Sequence, residues 1–66
     1  MEYKILAENF YDENIGNYTA YGISSDEGYK FSDITLSKQE IEHLVANINV
    51  KQTPVNYLPY EIDAIF

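Results

Sequence analysis

The sequence predicts an α+β fold: a three-stranded antiparallel β-meander followed by one amphipathic helix and a short C-terminal helix packed on one face. Three observations predict it. The first half alternates apolar and polar residues with a period of two and is broken by Gly, Asn and Asp clusters. The second half changes to a helical period behind a capping sequence. Strands precede helices, and the connections between the strands are short, which favours antiparallel neighbours.

Residues 2–8 place Tyr3, Ile5 and Ala7 on one parity and Lys4, Leu6 and Glu8 on the other, so the two sets face opposite sides of a strand. Residues 12–17 are turn chemistry, with Gly16 and the asparagines able to adopt positive φ. A second β-rich run covers residues 17–24, and Ser25 to Gly28 forms a hairpin connection. A third run covers Tyr29 to Asp33, with Tyr29 and Phe31 on one face.

Ser37-Lys38-Gln39-Glu40 is a capping box, in which Ser37 satisfies the Glu40 amide and Glu40 reaches back to Ser37. Leu36 and Ile41 stand where a hydrophobic staple would clamp the same helix start. Ile41, Leu44, Val45 and Ile48 then recur at i, i+3, i+4 and i+7, which predicts a helix over 38–49. In the tail, Thr53-Pro54 opens a turn over 53–56. Pro59 breaks a longer helix, so the spacing of Leu58, Ile62 and Ile65 predicts a short helix from about Tyr57, with Pro59 in its first turn.

The 66 residues make one domain, residues 1–66. A chain of this size buries only roughly 60% of its unfolded surface, and small domains lean on disulfides, metals or partners. Cysteine is absent and His43 is the one imidazole, which excludes a disulfide framework and argues against structural zinc. Eleven carboxylates face four lysines and no arginine, for a formal net charge of −7. Lys4, Lys30, Lys38 and Lys51 are scattered and form no phosphate-binding run, so neither nucleic acid nor a membrane is an expected partner. The start, Met1-Glu2-Tyr3-Lys4-Ile5-Leu6, carries no basic n-region or apolar h-region. The expectation is a cytoplasmic protein.

Few residues could perform chemistry. His43 lies one place from the stripe residue Leu44 and reads as a partly exposed helix histidine near Glu40 and Asn47. The pairs Asp12-Glu13 and Asp26-Glu27 fall in turns, where carboxylates are solvated. Asp12, Glu13, Asn14 and Gly16 lack the spacing of a calcium loop. Three glycines form no phosphate-binding or dinucleotide motif. The reading is a non-enzymatic protein without a cofactor or metal.

Tyr21-Gly22-Ile23, Asp33-Ile34, the capped segment from Ser37 to Ile48, Thr53-Pro54-Val55 and Tyr60-Glu61-Ile62 occur in an order that resembles a family of short uncharacterised proteins from low-GC Gram-positive bacteria and their mobile elements. That family carries a YGI…DI…TPVHL-like pattern and is a domain of unknown function. The resemblance covers roughly residues 18–66. It implies a bacterial or phage origin and supplies no activity to carry over. Asn56 stands where the family tends to have His, and Pro59 interrupts its helical segment.

The aromatic surplus carries the functional reading. If Ile5, Tyr21, Ile23, Tyr29 and Phe31 pack under the helices, the opposite parity still presents Leu6, Phe10, Tyr18 and Ala20. A solvated sheet face should be more polar than that, and tyrosines are enriched at interfaces. Packing alone also tolerates tyrosines on sheets. The first reading is an acidic, tyrosine-rich protein-binding module, docking on a protein with a basic surface and inhibiting a nucleic-acid-handling target. Tyr11, Tyr18 and Tyr29 would be the anchors, with Asp12, Glu13, Asp26 and Glu27 the charged rim. The second is a self-associating structural or regulatory module that buries the apolar sheet face in a homodimer. A small-molecule site between sheet and helices would have little room.

Overall fold

The computed structural model describes residues 2–65, with side chains through Ala64. Strand β1 is Tyr3–Asp12, β2 is Gly16–Ser25 and β3 is Lys30–Thr35. Helix α1 is Lys38–Lys51; a 3-10 turn, Val55–Tyr57, leads into α2, Leu58–Ile65. The sheet is antiparallel in the order β1-β2-β3, so the protein is the α+β meander that the pattern predicts. Pro59 lies in the first turn of α2, where its missing N–H costs nothing.

The residues facing the helices come from one parity of each long strand. Tyr3 and Ile23 are buried with Ile41, Leu44, Val45, Ile48 and Leu58. Tyr21, Phe31, Ile34, Val55 and Ile62 flank this core. The four-residue stripe of α1 is thus fully used, and Leu58 and Ile62 seat α2; the side chain of Ile65 lies outside the described residues.

The main departure from expectation is the length of the first hairpin. Strand β1 runs on to Asp12, and its register with β2 is unbroken from Tyr3↔Ser25 to Asp12↔Gly16. Cross-strand pairs hold the extension: Phe10 stacks on Tyr18 at 5.6 Å, and the Thr19 hydroxyl donates to Asn9 Oδ1 at 2.9 Å. The Asp12 carboxylate closes the turn by accepting the Asn14 and Ile15 amides at 2.7 and 3.3 Å. Gly16 completes it at φ 83°.

Strand β3 pairs with β2 only from Tyr21 to Ser24. Beyond that point the hairpin is a bare two-stranded ribbon, projecting roughly 17 Å at the usual rise per residue. The molecule is accordingly elongated, at 38 × 23 × 18 Å.

Between Tyr21↔Thr35 and Ile23↔Phe31 the register shifts, and Asp33 sits at φ 56°. This bulge presses the β3 backbone onto Gly22, where a Cβ would stand 2.0 Å from the Phe31 carbonyl oxygen. Only glycine admits so close an approach. Gly22 and the bulge at Asp33, from two of the short motifs singled out in the sequence, therefore shape the same stretch of the β2–β3 ladder.

The start of α1 differs in detail from the predicted box. Ser37 Oγ accepts the Glu40 amide at 3.2 Å, as expected. Glu40 does not return to the Ser37 amide. Its carboxylate accepts from the Thr35 hydroxyl at 2.9 Å, and that hydroxyl accepts the Ser37 amide at 3.1 Å, so Thr35 relays the bond. The staple is not formed, because Leu36 is 63% exposed while Ile41 turns into the core. At its other end α1 runs to Lys51, past the expected 49, and closes on Gln52 at φ 57°. The Thr53 amide donates to the Ile48 carbonyl and the Gln52 amide to that of Asn49, a Schellman arrangement.

Asn49, which falls away from the apolar stripe of α1, has a role that the helical period does not suggest. Its side-chain amide accepts the Tyr3 N–H at 2.8 Å and donates to the Tyr3 carbonyl at 2.9 Å. It thereby ties α1 to the outer edge of β1 as a neighbouring strand would. Below it, the Tyr3 hydroxyl donates to the Thr53 carbonyl at 2.5 Å.

Candidate protein interface

The residues expected to form one surface are divided between two places. Tyr11, Asp12, Glu13 and Tyr18 lie on the projecting ribbon. Asp26, Glu27 and Tyr29 lie in and beside the β2–β3 turn. The ladder between these ends spans nine residue steps from Tyr3↔Ser25 to Asp12↔Gly16, roughly 30 Å.

The second group is engaged in building its own turn. Asp26 Oδ1 accepts the Glu2 amide at 3.2 Å, and Ser25 Oγ accepts the amides of Glu27 and Tyr29 at 3.3 and 3.0 Å. Even within the ribbon the anchors face opposite ways. Tyr11 pairs with Asn17 on the parity of Tyr3, whereas Tyr18 pairs with Phe10 on the other parity.

The sheet side turned away from the helices has a mixed character. Leu6, Phe10 and Tyr18 are half-buried and Ala20 is buried, while Lys4, Glu8 and Ser24 share the same parity. On the helix side, exposure climbs along β1, from 2% at Tyr3 through 39% at Ile5 to 70% at Tyr11. Ile15, at the tip of the turn, is 66% exposed. Sequence reading assigned it no role, although an isoleucine inside a five-residue run of turn chemistry, Asp12 to Gly16, is itself a signal.

Charge sharpens the ribbon's character. Between Lys4 and Lys30 the chain holds Glu8, Asp12, Glu13, Asp26 and Glu27 and no basic residue. The single ion pair among the described residues is Lys51 with Glu61 at 3.4 Å, far along the chain from these carboxylates.

A shallow open depression of about 370 Å³ lies beside the end of α1, between the Lys51–Glu61 pair and the rings of Tyr57 and Tyr60. It opens on the surface, away from the space between sheet and helices. Among the described residues, no three acidic or metal-ligating side chains gather into a cation site, and His43 is exposed on α1. No described helix is long and apolar enough to cross a membrane.

Comparison with family models, curated proteins and solved structures finds no match. The functional reading therefore rests on this chain's own residues.

Proposed function

We infer that this protein is a non-enzymatic binding module that presents its acidic ribbon to a protein with a basic surface, and that it inhibits a target which otherwise handles nucleic acid. One observation carries the reading: the ribbon projects beyond the core with exposed Tyr11 and Ile15 beside Asp12 and Glu13, and no base lies nearby in sequence. Aromatic and aliphatic side chains supply contact area. The carboxylates steer association and select basic partners in place of phosphates. Asp26, Glu27 and Tyr29 form a separate acidic end and are not part of this contact. The cytoplasm is the compartment that fits such a target.

The test is capture by the immobilised protein at low salt. The expected result is a basic protein that is displaced by competing duplex DNA and released as ionic strength approaches about 1 M, where screening shrinks to roughly 3 Å. The combined variant Tyr11→Ala, Asp12→Asn, Glu13→Gln should lose that capture while Asp26→Asn, Glu27→Gln keeps it. Failure to recover any DNA-competed basic protein would sink the reading.

A further inference from the structure

We propose that the free edge of β1 pairs antiparallel with β1 of a second copy of this chain, in a twofold register centred on Glu8, to make a six-stranded sheet. The two edges of the sheet are treated differently. On β3 the bulge at Asp33 spoils the edge as a template. Strand β1 is ten residues long, free of proline and of any register shift, and such an edge invites another strand.

The backbone shows which groups are available. Tyr3 bonds outward to Asn49, and the Glu2 carbonyl bonds inward to the Asp26 amide. Hydrogen-bonding direction alternates along an antiparallel strand. Ile5, Ala7, Asn9 and Tyr11 therefore point their N–H and C=O groups at the open edge.

Centring on Glu8 uses all of these and no others. Ile5 exchanges bonds with Tyr11 of the second copy, and Ala7 with its Asn9. The side chains agree with the backbone. Exposed Ile5 lies against exposed Tyr11, and Leu6 against Phe10. Lys4 lies against Asp12, and each pairing occurs twice by symmetry. Centring on Leu6 would match Lys4 with Glu8, but it sets Asn9 opposite Tyr3, whose edge groups Asn49 already holds. The one opposed pair in the favoured register is Glu8 with Glu8 on the axis.

Tyr11 and Asp12 serve this dimer and the proposed partner surface alike, so the two complexes are alternatives. Salt separates them. Screening favours the association of two chains of charge −7 and weakens binding to a basic partner.

The experiment is sedimentation equilibrium of the purified chain up to about 1 mM, a concentration that detects even weak association. Expected is a monomer–dimer equilibrium that tightens with salt. Glu8→Gln should lower the dissociation constant severalfold by removing the opposed carboxylates. Ala7→Pro should raise it about tenfold or more with an unchanged circular dichroism spectrum, because that N–H faces the edge and not β2. Glu8→Cys should self-link on oxidation in this otherwise cysteine-free chain, whereas Leu6→Cys should not. A wild-type chain that stays monomeric throughout overturns the proposal. So does a dimer that neither Ala7→Pro nor Glu8→Gln shifts, or one in which Leu6→Cys links and Glu8→Cys does not.

Discussion

Tyr3 and Tyr11 occupy the same strand and the same parity, yet one is 2% exposed and the other 70%. The first sits under α1, held by Asn49 at its backbone and by the Thr53 carbonyl at its hydroxyl. The second stands on the ribbon, where neither helix nor β3 continues. The difference teaches that alternation in this hairpin encodes two jobs. Near the helices it sorts residues into core and solvent, and burial stabilises the structure by about 1.5–3 kcal/mol per large side chain. On the ribbon no residue beyond the buried Ala20 is removed from water, and cross-strand pairs worth about 0.2–1 kcal/mol each hold the strands together.

Gly22, at a crowded point, and Gly16, at a positive φ, give the largest way to break this comparison. Gly22→Ala would drive a Cβ to 2.0 Å from the Phe31 carbonyl oxygen, a backbone atom that cannot swing aside. The expected loss is about 3 kcal/mol, at the upper end of overpacking penalties, with β3 released from β2. Gly16→Ala meets nothing within 4 Å and suffers only its positive φ, which costs about 1–2 kcal/mol. Urea denaturation of both variants checks the order. If Gly16→Ala proved the more damaging, the ribbon would be as tightly constrained as the core.

Much of this division was legible in the sequence. The stripe Ile41, Leu44, Val45 and Ile48 and the cap at Ser37 are local signals, and the structure uses them as read. The strand order follows from short connections. The missing part was long-range. Alternation shows that Tyr3, Ile5 and Ala7 share a face, but not that burial is lost between Tyr3 and Ile5. Asn49 gave no sign, because its partner is 46 residues away. The candidate surface was half legible for the same reason. Tyr and carboxylate counts suggest the kind of contact proposed, whereas the length of the ladder sets Asp26, Glu27 and Tyr29 apart from the ribbon residues.

Tyr3 offers a smaller effect with a pH signature. Its burial, and then the charges of Glu27 and Asp26, push its phenol above the ordinary value of 10.0. The folded state therefore holds this proton more tightly than the unfolded chain does. Stability from this group is complete below about pH 10, the unfolded value, and is lost as pH rises from there through the folded value. Tyr3→Phe should cost about 1 kcal/mol at neutral pH, the net worth of one hydrogen bond, and should flatten the alkaline fall in melting temperature. An unchanged alkaline slope in Tyr3→Phe would show that other groups cause it.

The smallest expected effect on stability is also the one that best separates the ribbon's two proposed uses. Ile15 is exposed at the tip and lies outside the β1 register about Glu8. Ile15→Ser should therefore shift stability by less than about 0.5 kcal/mol, leave self-association untouched and weaken capture of a basic partner. Tyr11→Ser should be similarly mild in stability, since the residue is 70% exposed, but should weaken both associations. Thermal melts, sedimentation and capture on the same two variants give the comparison directly. A loss of about 2 kcal/mol in Ile15→Ser would mean that the tip is packed against the body, and the contrast between a buried end and a presenting end would no longer hold.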